Sequence, residues 1–246
     1  MQVEAKFYER LHATDTGYGL ARYDVPRLLG TAAFRRWQAR MAGRPIRLLE
    51  IACGKGQFLL DLTTALKTTA QLKLGRVAVV DLVRAPNNVL DQVSPAPEFN
   101  QQSVDGVKLP FPDGGFDLVV CNHVLEHLFQ TEHLVRELRR VCAPDGLVEI
   151  SVPNTAAWMN RLAFLFGGQP LGSEVGTESI SYGFWPGFLK HKLDQFNPSG
   201  HIRDFTPLSL RDLTTACGFR PAGWWAQNGG LVATLGRNLG ILLEPA

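Results

Sequence analysis

His123, Glu126 and His127 stand in the order H-x-x-E-H within the stretch CNHVLEHL, residues 121–128. Two imidazoles one helical turn apart can hold a divalent metal while a carboxylate works on bound water, as in one class of zinc peptidases. That chemistry requires both histidines on one helix and a further, distant ligand. Here His123 falls just past the end of an apolar run, FDLVVC, where the chain turns. The expectation is therefore no metal site, with Glu126 and His127 anchoring the start of the next helix or its packing.

A second set of residues follows other apolar runs. Glu50, Ala52, Gly54 and Gly56 lie at or after IRLLEIA; Asp81 and Leu82 end RVAVVDL; Asp105 follows EFNQQS; Asn122 and His123 follow FDLVVC. Glycines after a strand let the backbone approach a ligand with no Cβ in the way. A helix opening there favours an anionic group. An acidic residue ending the second strand can accept hydrogen bonds from ribose hydroxyls. The dinucleotide pattern G-x-G-x-x-G fails: its third position falls on Gln57 when begun at Ala52, and on Leu59 when begun at Gly54. A Walker A lysine loop is absent as well.

The elements that must position these residues are legible as alternating runs. The periodicity predicts helices over about 3–12 and 26–41, the second opening on Pro26. Strand IRLLEIA, the CGKG turn and helix QFLLDLTTAL form the opening unit of a doubly wound sheet. RVAVVDL, EFNQQS, FDLVVC and LVEISV read as further strands, TEHLVRELRRV as an amphipathic helix and APDG as a turn. AAWMNRLAFLF and TPLSLRDLTTACGF read as helices, the latter with a Gly218 cap; PAGWWA and GLVATLG read as two closing strands. The fold expected is α/β, a Rossmann-like, doubly wound, mostly parallel seven-stranded sheet with a helical and loop cap insert. It is read as one domain over 1–246: N-terminal helices in 1–44, a binding core in 45–153, a cap in 154–200, and a closing helix and strands in 201–246.

Composition narrows the class. The chain has 246 residues, 45% hydrophobic and 20% charged, as in an ordinary globular protein. A net charge of +2 with no concentrated basic patch gives no reason to expect nucleic acid, and Arg136, Arg139 and Arg140 read as a solvated helix face. Cys53, Cys121, Cys142 and Cys217 are widely spaced, so neither a disulfide framework nor a cysteine metal site is expected. The start MQVEAKFYER is too charged for a signal peptide, and no apolar run is long enough to span a membrane. A cytoplasmic setting is the expectation.

LLEIACGKGQFLLDL resembles the first motif of class I S-adenosylmethionine (SAM)-dependent methyltransferases, acidic-x-G-x-G-x-G. LPFPDGGFDLVVCNHVLEHL and LVRELRRVCAPDGLVEISVPN resemble the small-molecule, type 11-like branch of that superfamily. The resemblance covers about 46–154, with an echo in GHIRDFTPLSLRDLTTACGF. It implies SAM as methyl donor and S-adenosylhomocysteine (SAH) as product. Carried over, Gly54 and Gly56 approach the donor, Asp81 holds its ribose and Asp105 contacts its adenine. Glu50 orients the glycine loop and the methionine end, and Leu82, Asn122 and His123 line the site. The first motif glycine is Ala52 here, tolerated if its φ is negative.

Methyl transfer asks for alignment and exclusion of water, and for a general base where the acceptor is a hydroxyl. His123 and His201 are the leading candidates, with His191 behind them. Trp158, Phe164, Phe166, Tyr182, Phe184, Trp185, Phe188 and Phe196 suggest an apolar lid, with Tyr8 and Tyr18 closing the other side. The acceptor expected is a small molecule, sugar or lipid-linked intermediate methylated on O, N or C without a metal. Residues 121–124 lack the N/D-P-P-Y/F loop of DNA adenine enzymes, and Asn122 with Pro153-Asn154 lacks the acidic cluster of catechol-type enzymes. The competing expectation is a SAM-binding scaffold or partner subunit without turnover.

Overall fold

Asp24 and Pro26 start the described chain as a helix signal: the Asp24 carboxylate accepts from the Arg27 backbone N–H, and the proline occupies the first turn. The computed structural model describes residues 24–193, 198–227 and 233–246. The expected helices over 3–12, the positions of Tyr8 and Tyr18, and Phe196 lie outside them. The segment read as one helix over 26–41 is two, α1 (Val25–Gly30) and α2 (Ala32–Met41). Thr31 breaks it, extended at φ −68° and ψ 147°, because its hydroxyl accepts from the Phe34 N–H and caps α2 instead of continuing α1. Both helices bury one side: Leu28, Ala33, Phe34, Trp37 and Met41 are nearly inaccessible.

The chain then runs β1 (Ile46–Ile51), α3 (Gln57–Thr68), β2 (Leu74–Asp81), β3 (Glu98–Gln101), β4 (Phe116–Asn122), α4 (Thr131–Val141), β5 (Cys142–Pro153), α5 (Trp158–Leu165), α6 (Pro207–Ala216), β6 (Phe219–Gln227) and β7 (Asn238–Pro245). The sheet has seven strands in the order β3-β2-β1-β4-β5-β7-β6. Pairings from β3 through β5 are parallel, while β7 runs antiparallel to both β5 and β6. The mostly parallel Rossmann-like sheet is thus present. Its inner strands are buried on both faces and read as nearly unbroken apolar runs: Leu48, Leu49 and Ile51 in β1, and Val77 to Val80 in β2. Apolar clusters cover the two faces, one built around Phe116 and α4, the other around Trp37 and α3.

Two strand boundaries differ from the sequence reading. APDG is not a free turn: the ladder of β5 begins at Cys142, opposite Phe116, with a register shift before Leu118. Gly146 makes this possible, since a Cβ there would lie 2.6 Å from Cys142 Sγ and 3.0 Å from the Asp117 carbonyl. The last strand is Asn238–Pro245, and Ala233–Leu235 within GLVATLG is a 3-10 turn. Both stretches are short apolar runs. The later one, with Leu239 and Ile241 to Leu243 buried, fills the slot between β5 and β6.

The order reverses at β1. From β1 the chain steps outward to β2 and β3, then returns to lie on the other side of β1 as β4. A crevice forms at such a switch point beyond the carboxyl ends of the strands. The register sets Ile51 beside Val80 and Cys121, so the residues following β1, β2 and β4 meet there.

Candidate active site

β1 delivers Glu50 and then the turn Ala52–Gly56. The Ala52 N–H donates to the Val80 carbonyl at 2.8 Å, extending the ladder by one residue before the chain departs. Ala52 itself has φ 53°, not the negative φ expected of an alanine there. It occupies the left-handed region that a glycine would take without strain. Gly54 (φ 54°) and Gly56 (φ 80°) follow in the same region. A Cβ on Gly56 would lie 2.6 Å from Leu90 Cδ2, so the turn is closed down against the segment after β2.

β2 delivers Asp81, whose carboxylate accepts from the Gly54 N–H at 3.0 Å and the Val83 N–H at 3.2 Å. Leu82 is next, its carbonyl accepting from Gln101 Nε2 at 3.3 Å. Glu50 is 2% exposed, and among the described residues its Oε2 has no hydrogen-bond partner. Burial, and then the nearby charge of Asp81, push its carboxyl up to about 8.

β4 ends in Asn122 and His123. Asn122 is buried; its Oδ1 accepts from the Ser151 hydroxyl, while its Nδ2 has no partner among the described residues. His123 has φ 54°, a left-handed turn that swings the chain off the sheet. Its backbone N–H still donates to the Ser151 carbonyl at 2.9 Å. Leu125–His127 is a 3-10 turn, and α4 begins only at Thr131. His127 therefore neither begins the helix nor lies in its first turn, because three residues of extended and bent chain separate them.

The structure brings His123, Glu126, His127 and His201 together. His123 Nδ1 lies 3.0 Å from Glu126 Oε1, and the His127 and His201 rings meet edge to face at 4.9 Å between centroids. Burial raises the Glu126 carboxyl, but the hydrogen bond and charge of His123 outweigh it and hold it below its usual value. Burial pushes the His127 imidazole down, toward the neutral form. His191, in contrast, lies on an exposed turn with its ring against the Phe188 carbonyl at 3.0 Å. Asp105 is tied to the turn before α4, its carboxylate accepting from the Phe129 and Gln130 N–H groups at 3.0 and 2.8 Å. Glu126 and His127 were not read as functional from sequence, although the H-x-x-E-H pattern marked them. Glu174, whose carboxylate accepts from the N–H groups of Ser199, Gly200 and His201, carried no sequence signal.

All four cysteines are free and buried, and burial raises the thiols of Cys53 and Cys121, which makes them poor nucleophiles. No helix among the described residues is long and apolar enough to cross a membrane.

Comparison with known proteins decides the family: a methyltransferase domain matches residues 24–222. The chain belongs to that family. It is a class I SAM-dependent methyltransferase of the small-molecule kind. It is 26% identical over 226 residues to the ubiquinone/menaquinone biosynthesis C-methyltransferase UbiE of Azotobacter vinelandii, covering 87% of this chain and 83% of that one. With the UbiE of Pseudomonas fluorescens strain Pf0-1 the identity is 32% over 142 residues, 55% of each chain. A solved Burkholderia thailandensis 1,6-didemethyltoxoflavin-N1-methyltransferase shares the fold, with a TM-score of 0.58 at 17% identity, covering 100% of this chain and 89% of that one.

The methyltransferase's own residues suit the donor. SAM carries a sulfonium and an ammonium, and the carboxyls of Glu50 and Asp81 flank the glycine turn where a cation would be welcome. The buried Glu50 Oε2 and Asn122 Nδ2, unpartnered among the described residues, are the kind of polar atoms a ligand satisfies.

Proposed function

We propose that this methyltransferase binds SAM across the ends of β1, β2 and β4 and methylates a small, largely apolar, lipid-linked acceptor. The observation that carries the donor site is the Asp81 carboxylate hydrogen-bonded to Gly54, which joins the glycine turn to the end of β2. In this reading Asp81 holds the ribose, and Leu82 and Asp105 flank the adenosine. Glu50 faces the methionine end, Gly54 and Gly56 permit close approach, and Ala52, Asn122 and His123 border the reacting end. SAM supplies an activated methyl group; the chain aligns the acceptor and keeps water out.

The apolar acceptor is supported by the segment after β5. Trp158, Leu165, Phe166 and Phe188 are each more than half exposed, and Phe166 stacks on Trp185 at 4.3 Å. Such a concentration of exposed apolar side chains marks a binding surface more often than a plain one. The relatives named for ubiquinone and menaquinone biosynthesis act on carbon, which favours an aromatic ring carbon as acceptor atom.

The test is turnover with SAM and a short-chain demethylated quinol, following SAH formation and the mass of the quinol. Stoichiometric SAH and a singly methylated ring support the reading. SAM binding without SAH formation, across quinol, phenol and sugar acceptors, would instead identify a non-catalytic scaffold.

A further inference from the structure

Glu126, His127 and His201 each offer one ligand atom, and those atoms all lie within 4.8 Å of one another. We infer that these three residues form a site for a divalent transition-metal cation, of the Zn2+ or Mn2+ class, at the acceptor side of the donor crevice. Two imidazoles and one carboxylate are a donor set that such ions favour, and three protein ligands leave a coordination position for substrate.

The side chains are held as metal ligands are held. The His127 ring nitrogen Nδ1 lies 3.2 Å from the Gly200 carbonyl, and that of His201 lies 2.7 Å from the Gly172 carbonyl. A carbonyl only accepts, so each Nδ1 carries a proton, and Nε2 is the ring atom through which each histidine would bind a metal. Backbone carbonyls fix the tautomer and ring plane of metal-bound histidines in this way. Glu126 is fully buried, with Oε1 on His123 and Oε2 unpartnered among the described residues. A buried carboxylate oxygen without a hydrogen bond is costly unless a cation or donor meets it.

The backbone is built to bring the distant ligand in. The Glu126 carbonyl accepts from the N–H groups of Ile202 and Arg203 at 2.8 and 3.0 Å, which places His201 beside His127. The Glu174 carboxylate clamps the other side of that segment through three backbone N–H groups, at 2.6 to 3.2 Å. Three elements thus converge on one point: the turn after β4, the loop carrying Gly172 and Glu174, and the segment entering α6. The peptidase geometry of H-x-x-E-H is absent, since residues 125–127 are a 3-10 turn, but its ligand types are retained with His201 added.

Such a cation would hold and acidify a hydroxyl of the acceptor, so the site selects hydroxylated rings over plain hydrocarbon. That role rests on the proposed methyl transfer, whereas metal uptake is read without SAM or acceptor. Metal-free protein is titrated with Zn2+ and Mn2+ in equilibrium dialysis, and Co2+ serves as an optical probe. One equivalent per chain is expected, with the strong visible bands of four- or five-coordinate Co2+. His201→Gln and Glu126→Gln should each weaken uptake at least about tenfold, while SAH binding reports that the variant is folded. Stoichiometric uptake unchanged in both variants, or a weak aquo-ion Co2+ spectrum in the unaltered protein, overturns the site. The Co2+ spectrum decides alone if both variants lose SAH binding. Loss of turnover with metal uptake intact would instead strike the acceptor chemistry.

Discussion

The Asp81 carboxylate accepts a hydrogen bond from the Gly54 backbone N–H at 3.0 Å, across the gap between two parallel strands. One side chain thereby fixes the glycine turn and, in the proposed donor site, would also hold the ribose. Asp81→Ala removes both functions. A hydrogen bond to a charged group is worth roughly 1.5–3 kcal/mol, so SAM affinity should fall about 10- to 150-fold. Calorimetric titration with SAM and SAH measures this, with circular dichroism as the control for folding. Unchanged affinity in a folded variant would sink the ribose assignment.

Ala52 carries a conformational cost that its neighbours escape. At φ 53° its Cβ meets the left-handed penalty, roughly 1–2 kcal/mol for a residue with a side chain. Glycine there removes the penalty but adds about 0.5–1 kcal/mol of unfolded-state entropy. Ala52→Gly is therefore expected to be neutral or stabilising by up to about 1.5 kcal/mol, where glycine in an ordinary strand would destabilise. Urea denaturation decides; a loss above about 1 kcal/mol would mean that the alanine methyl contributes packing.

Sequence patterning carried the frame because a parallel sheet buried on both faces needs unbroken apolar runs, and β1, β2, β4 and β5 are such runs. It placed Glu50, Asp81 and Asn122 at strand ends for the same reason. It misjudged Ala52 because φ is set by the turn and not by the residue type. It missed the His127–His201 contact because 73 positions separate His127 from Gly200, the residue before His201, and hydrogen bonds from a loop carrying Glu174 close that distance. The last strand was assigned to GLVATLG because two apolar runs of similar length compete there, and only pairing with β5 and β6 selects between them.

Glu50 makes stability depend on pH. Its folded carboxyl is raised to about 8 by burial and then by Asp81, against an ordinary 4.5. A raised acid binds its proton more tightly when folded. Its contribution is full below about pH 4.5, declines as the pH rises, and is exhausted above about 8. Glu50→Gln cannot ionise, so its stability curve should fall less steeply from pH 5 to 8, the difference reaching a few kcal/mol. Denaturation midpoints at several pH values read this; parallel curves for the two proteins would refute the buried acid.

Asp117 acts at the opposite end of β4. Its carboxylate accepts from the Arg47 N–H at 2.9 Å, from the Arg47 guanidinium at 2.8 and 3.0 Å, and from Arg44 at 3.2 Å. Burial raises its carboxyl, but the bonds to Arg47 outweigh that and hold it below its usual value. The stabilisation is present above about pH 4 and is lost as acid protonates the group. Both arginines are two-fifths exposed, so Asp117→Ala should cost about 1–3 kcal/mol, less than for a fully buried pair. SAM affinity should not change, because the crevice lies beyond the other end of the strand. A matching loss of SAM binding would show that the two ends of the sheet are coupled.

Gly240 exists for Trp225. A Cβ at Gly240 would run into the indole Nε1, which donates to Glu149 Oε1 at 3.1 Å in the buried interior. Among the described residues the Oε2 of Glu149 is unpartnered, and burial raises its carboxyl well above the usual value. Gly240→Ala must displace the indole or bend β7 away from β6. Overpacking of this kind costs about 1–3 kcal/mol, and breaking the bond to Glu149 adds to it. Gly240→Ala with Trp225→Phe removes the colliding nitrogen as well and should recover part of the loss. Thermal denaturation of the single and double variants measures the coupling, and strictly additive effects would place the strain elsewhere than at this pair.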